Sequence, residues 1–156
     1  MHRNVRTVVE AGKALGVDVH PREYPTGTRT AADAAVAIGV DVGQIVKSLV
    51  FSVDGEVVVA LVSGDNHLDE AKLARAAGGE RAWREDADTV REAIGFPVGG
   101  VPPFGHREPA RIFVDRDLLG YDELWAAAGT SHHNFPITPG TLVRATGGTV
   151  CELAVR

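Results

Sequence analysis

The sequence predicts a mixed α/β fold, a mostly antiparallel central sheet surrounded by helices, and three observations carry that prediction. Val53-Asp54-Gly55-Glu56 joins two apolar runs through a two-residue turn of the kind that favours hairpins. Helical and extended segments then follow one another without a regular βαβ beat, which favours a mixed sheet over a doubly wound parallel one. The chain has 156 residues, enough for one ordinary domain with a true pocket, and it shows no internal repeat, low-complexity tract or linker.

The elements follow in chain order. Val5, Val8, Val9, Gly12 and Leu15 fall close to helical spacing, and Gly16 ends that helix. A short extended piece runs from Asp18 to Tyr24, and Thr28 or Thr30 caps a second helix through Ala31 to Ile38, closed by Gly39. Gln44 to Phe51 reads as a buried strand, paired through the hairpin with Val57 to Val62. Asp69 to Ala77 is a helix ended by Gly78-Gly79, followed by a short strand near Arg81 to Trp83 and a helix from Asp86 or Asp88 to Ile94. Strands are expected at Arg111 to Val114 and around His132 to Ile137. A helix opens at Thr138-Pro139 and closes at Gly147-Gly148, before a last strand at Thr149 to Leu153.

Composition narrows the function. A net charge of −5 argues against a broad basic surface that grips nucleic acid by counterion release, while leaving room for contact with one end of a nucleic acid. The single cysteine, Cys151, offers no disulfide framework and sits among apolar residues, as a small core residue does. The N-terminus has no signal-peptide core, and no apolar run is long enough for a membrane span, so a soluble cytoplasmic protein is expected.

Lys47 is the first residue that needs explaining. Lysine occurs only at positions 13, 47 and 72, and Lys47 lies inside the apolar strand, on the face shared by Ile45, Leu49 and Phe51. An unpaired buried ammonium is costly, so it must find an anion, lose its proton or snorkel to water along its stem. The second unusual stretch is Gly95 to Gly105, with paired glycines and paired prolines. Such a loop has a fixed shape: it serves either as a rigid connection or as a means of aiming free N–H groups at a carbonyl or oxyanion. No Walker-type or dinucleotide-type glycine spacing is present.

Metal and nucleophile signals are weak, and no cofactor is expected. His132 and His133 are adjacent, so on a strand they face opposite sides. Asp65-Asn66-His67-Leu68-Asp69 offers ligand types, and with His132 it defines a metal-hydrolase alternative, but Asp69 reads first as a helix cap. Ser63 and Ser131 lack a nucleophile-elbow context.

These segments together resemble a known family. The order Thr28-x-Thr30 with an Ala-rich helix, Gln-Ile-Val-Lys47-Ser-Leu-Val-Phe, Gly99-Gly-Val-Pro-Pro103-Phe-Gly105, Ala128-Gly129-Thr-Ser-His132 and Leu142-Val-Arg-Ala-Thr-Gly-Gly is similar to the YbaK family. Its members are relatives of the editing domain inserted in bacterial prolyl-tRNA synthetases. The resemblance implies hydrolysis of the ester that joins a wrong amino acid to the 3′ end of a tRNA; the family relatives differ in the C-terminal pocket segment, so the substrate, a small amino acid such as cysteine or alanine on tRNA-Pro, is an expectation of its own. The resemblance places Lys47 at the pocket mouth on the terminal adenosine and its phosphate. It assigns Gly99 and Gly100 N–H groups to the aminoacyl carbonyl, and Thr28, Thr30, Pro103 and Gly129 to the substrate-binding segments. His132 becomes the leading general base, with a substrate thiol cyclising onto its own ester as the alternative to water. Arg29, Arg107 and Arg111 are the arginines available to make the mouth positive. The implied partners are the acceptor end of an aminoacyl-tRNA and a cognate synthetase. The rival reading is a non-catalytic module of the same fold that binds a nucleotide, an aminoacyl end or a synthetase.

Overall fold

The computed structural model describes residues 1–156 and is a mixed α/β protein built on two sheets. Its helices are α1 (Arg3–Ala14), α2 (Ala31–Ile38), α3 (Glu70–Ala76), α4 (Ala87–Ala93) and α5 (Pro139–Thr146). Its strands are β1 (Arg22–Glu23), β2 (Val46–Val53), β3 (Glu56–Ser63), β4 (Ala82–Arg84), β5 (Arg111–Asp115), β6 (Leu124–Ala127), β7 (His133–Ile137) and β8 (Thr149–Cys151). The larger sheet has the order β4-β2-β3-β5-β8 and the smaller one β1-β7-β6.

The hairpin is the spine. Asp54 (φ 50°) and Gly55 (φ 96°) both take positive φ, the geometry that matches a tight turn to the twist of its strands. Pairing then runs without a bulge from Val53↔Glu56 to Val46↔Ser63. The Asp54 carboxylate also accepts the N–H groups of Glu80 (2.9 Å) and Arg81 (3.0 Å), which delivers β4 to the edge of β2. β4 pairs only with Phe51, Ser52 and Val53, so the first half of β2 keeps an uncovered edge. β5 and β8 add in parallel on the far side, whereas the smaller sheet is wholly antiparallel.

Alternation along β2 divides the core. Val46 and Val50 join a 22-residue cluster that lies between the two sheets, with Val59 and Leu61 from β3 and Leu124, Phe135 and Ile137 from the smaller sheet. Phe51 and Val53 face the other way, toward Leu73 and Ala74 of α3 and Phe113 of β5. Fully buried side chains such as Leu61 and Phe135 each contribute about 2 kcal/mol by leaving water. An isolated bridge between Ile45 and Trp125 brings the start of β2 to the smaller sheet.

Helix ends follow their caps. Thr30, rather than Thr28, caps α2 by accepting the Asp33 N–H at 3.0 Å, and Gly39 closes it in the left-handed conformation. Asp69 caps α3, Asp86 caps α4 and Thr138 caps α5, whose first residue is Pro139. The stretch from Asp18 to Tyr24 contributes only the two residues of β1. β6 was not anticipated: Leu124-Trp125-Ala126-Ala127 is a short apolar run without alternation, and its partner lies in β7.

Candidate functional site

The uncovered edge of β2 forms one wall of a cavity of about 400 Å³. Glu85 donates to the Val50 carbonyl at 3.1 Å, so Val50 directs its main-chain groups away from β3. By the antiparallel alternation Ser48 does the same, and opposite it there is no strand. Ile45, Lys47, Ser48 and Leu49 line this wall; Thr28, Arg29 and Thr30 enter from the turn before α2. His67 and Leu68 come from the connection to α3, and Arg84 from the end of β4. Val98, Gly99 and Val101 of the glycine–proline loop, with Ala127 and Asn134 of the smaller sheet, complete the lining.

Lys47 is half-buried here, and its ammonium donates to the main-chain carbonyl of Asn66. That carbonyl is held in place because the Asn66 side-chain amide donates to both Asp115 and Asp117, at 2.8 Å each, and Asp115 is wholly buried. Burial pulls the Lys47 pKa below the ordinary lysine value, and the positive charge of Arg84 adds to the shift, against the pull of Asp115 and Asp65. Neither Lys47, Arg29 nor Arg84 has a carboxylate partner within salt-bridge distance. An acidic chain thus gathers three unpaired cations on one cavity, which is the electrostatics of a small anion-seeking mouth. Arg107 and Arg111 are not part of it: Arg107 donates to the Glu92 carbonyl, and Arg111 forms a two-pronged pair with Glu56 at 2.7 and 2.9 Å.

The glycine–proline loop splits into a cavity side and a scaffold side. Gly99 (φ +88°) lines the cavity, and a side chain there would begin 3.0 Å from Arg29 Cγ. Its N–H makes no hydrogen bond within the protein, and neither does that of Val101. Gly100 departs from expectation: its N–H donates to the Pro97 carbonyl at 2.9 Å, so that amide is spent on the loop's own turn. Gly100 is a glycine for another reason, since a Cβ would lie 2.9 Å from the Thr130 backbone.

Pro103 also lies off the cavity. It is buried beside Phe104, His106 and Ile112 around a separate space of about 170 Å³, and the Pro102 carbonyl is 2.7 Å from His106 Nε2. Burial lowers the His106 pKa, which keeps that ring neutral as a strut under the loop.

Of the remaining expected residues, Thr28 and Thr30 reach the cavity and Gly129 and His132 do not. Thr28 is buried; its hydroxyl accepts from the Asn134 side chain and donates to the Ser131 carbonyl at 3.2 Å, tying the smaller sheet to the α2 turn. Gly129 (φ +100°) packs against Asn4, whose side chain donates to its carbonyl at 3.0 Å. His132 is exposed on the turn before β7, with Nδ1 3.2 Å from the Tyr24 carbonyl, and does not line this cavity. His67 is the imidazole on the cavity wall. Asp69 accepts from Lys72 N–H as a helix cap, and no three metal-binding side chains gather, so His67, Asp69 and His132 are not brought together.

The family model of the aminoacyl-tRNA editing domain matches residues 26–145. The chain belongs to the aminoacyl-tRNA editing domain family. The match spans every segment of the cavity just described. This editing domain is 38% identical over 108 residues to a proline–tRNA ligase of Maridesulfovibrio salexigens, covering 68% of the chain but only 18% of the ligase. It is 32% identical to the uncharacterized protein YwhH of Bacillus subtilis, covering 77% of the chain and 76% of that protein. Among solved structures, it superposes with a TM-score of 0.94 on a candidate trans-editing enzyme for prolyl tRNA synthetase, at 43% identity over 100% of the chain and 99% of that one. The hypothetical protein APE2540 matches with a TM-score of 0.88 and 32% identity, over 96% of the chain and 99% of its own.

The residues beyond the expected set carry little signal of their own. Arg84 follows Trp83 in a strand too short to show periodicity, and Asn134 follows the conspicuous histidine pair. Ser48 is adjacent to Lys47 and on the opposite face of β2; the open edge lets both faces meet one cavity.

Proposed function

We propose that this editing domain is a trans-acting deacylase that hydrolyses the ester between a small, wrongly attached amino acid, such as cysteine or alanine, and tRNA-Pro in the cytoplasm. The observation that carries the reading is that Gly99, whose N–H has no partner in the protein, lines the same cavity as the unpaired Lys47, Arg29 and Arg84. The cations suit the phosphate and adenosine of an acceptor end, and the amide suits an ester carbonyl that gains negative charge during attack. Water adds to that carbonyl, the ester C–O bond breaks, and the free amino acid and the ribose hydroxyl leave.

No catalytic triad is required. An aminoacyl ester is already activated, and a thousandfold acceleration corresponds to roughly 4 kcal/mol. One well-aimed oxyanion donor supplies about 3–4 kcal/mol. Gly99 takes that role, with the Val101 N–H as a second donor in place of Gly100. His67 replaces His132 as the side chain able to handle a proton at the cavity, and a substrate thiol attacking its own ester remains the route that needs no protein base.

The test is release of amino acid from purified tRNA-Pro charged with alanine, cysteine, serine or proline. The expected result is accelerated loss of at least one small non-cognate residue with proline spared. If every charged tRNA decays at its rate in buffer, the chain is a binding module of this fold, and a titration with uncharged tRNA or with prolyl-tRNA synthetase then identifies what it holds.

A further inference from the structure

A second, smaller chamber of about 60 Å³ adjoins the main cavity and shares with it Ser48, Leu49, Arg84, Val98 and Val101. Val50, Val90 and Glu85 complete its lining, so it is mostly apolar, with Ser48, Arg84 and Glu85 as its polar residues. The volume is about that of two water molecules, which matches a side chain of two heavy atoms.

Ser48 stands where the two spaces meet, and its hydroxyl is the single buried side-chain oxygen or nitrogen in the protein without a hydrogen-bond partner. Native proteins rarely leave such a group unsatisfied, because a buried donor or acceptor without a partner forfeits what it had in water. The hydroxyl oxygen is itself closed off from the cavity, and since no hydrogen bond fixes χ1 it reaches an entering side chain by turning about that bond. The strand explains the placement: Ser48 shares its face with Val46 and Val50, at a position where a valine would fit the pattern. A serine at that point trades apolar packing for a hydroxyl beside a mostly apolar chamber.

We propose that this chamber receives the side chain of the aminoacyl group and that Ser48 selects side chains carrying a hydroxyl or thiol, serine and cysteine, over alanine. The inference rests on the deacylase reading for what enters the cavity. A pocket of the right size alone separates alanine from serine poorly, since both fit. A hydroxyl that gains its missing partner only from a polar side chain adds the discrimination that size cannot.

The probes are stable amides in which serine, cysteine or alanine is joined to 3′-amino-3′-deoxyadenosine, with binding measured by calorimetry. The parent protein is expected to bind the seryl and cysteinyl amides about tenfold more tightly than the alanyl amide, the worth of about one buried hydrogen bond. In Ser48→Ala that preference disappears, with alanyl binding unchanged or improved and the melting temperature not lowered. Equal binding of all three amides to the parent, or a preference that survives in Ser48→Ala, overturns the proposal. Ser48→Thr, which keeps the hydroxyl, is expected to retain the polar preference, and its loss there also counts against the role. Selective binding without any hydrolysis of charged tRNA leaves the Ser48 assignment standing while the deacylase reading falls. Hydrolysis with unselective binding does the reverse.

Discussion

The two halves of β2 are the same strand under opposite conditions. At its far end Phe51 to Val53 pair with β3 on one side and β4 on the other, and all three residues are buried. At its near end Lys47 to Leu49 pair with β3 alone, and all three are half-buried around the cavity. Sequence differs less between the halves than partnership does. Lys47 and Phe51 occupy the same face, yet one is packed against α3 and the other lies beyond the reach of that helix, under the Asn66 turn. What the sheet leaves unpaired becomes a wall of the cavity. Main-chain groups of the open edge, and a lysine without a carboxylate partner, stand at that wall.

The sharpest break of this comparison is a pair of substitutions on that one face. Phe51→Ala empties a fully packed position and is expected to destabilise the fold by about 3–5 kcal/mol, read from urea denaturation, while the folded fraction deacylates normally. Lys47→Ala is expected to change stability by less than about 1 kcal/mol, because the lysine has no carboxylate partner and its burial already disfavours the charge. The same variant should lower kcat/KM about a hundredfold, equivalent to roughly 2.7 kcal/mol of transition-state binding. If Lys47→Ala deacylates as fast as the parent, the near end of β2 is merely a frayed edge.

Gly99→Ala comes next in size. The position has φ +88°, where a Cβ costs about 1–2 kcal/mol, and its nearest contact is the flexible Arg29 side chain at 3.0 Å. A stability loss of about 1 kcal/mol and a fall of roughly tenfold in kcat are expected, because turning the amide by a small angle misaims a donor without removing it. Gly100→Ala offers the contrast: its Cβ would meet backbone rather than a movable side chain, so stability should suffer more than catalysis per folded molecule. Thermal melts and single-turnover rates on the two variants separate the roles.

How far the sequence foretold this depends on whether a feature is local. The hairpin turn, the Thr30 and Gly39 caps of α2 and the Thr138-Pro139 start of α5 are decided within a few residues, and all stand where the pattern put them. β6 was hidden because its identity as a strand comes from β7, which supplies its partner. Within the site, Lys47, Thr28, Thr30 and Gly99 do share one cavity. Gly100 looked equivalent to Gly99, yet the Pro97 carbonyl takes its amide, a choice made by loop geometry that spacing does not show. Pro103, Gly129 and His132 belong to the same motifs but lie off the cavity lining. A motif marks a segment; which of its residues turns inward is settled by neighbours from elsewhere in the chain.

The smallest expected effect tests whether the three cations act together. Each ammonium or guanidinium that meets a phosphate of a single-stranded end releases about 0.7 of a counterion, so Lys47, Arg29 and Arg84 together give a slope near −2 for log binding constant against log salt. Arg84 is the informative member, because it reaches the cavity from β4, the strand that covers the far half of β2, and its guanidinium lies 5.5 Å from the Phe51 ring centroid. Arg84→Ala is expected to make that slope shallower by about 0.7 while weakening tRNA binding only severalfold at moderate salt. It should also raise the Lys47 pKa, since the Arg84 charge is one of the causes of its depression. A slope that does not change on removing Arg84 means that the phosphate passes on the Arg29 side of the cavity, and the mouth then belongs to the near half of β2 alone.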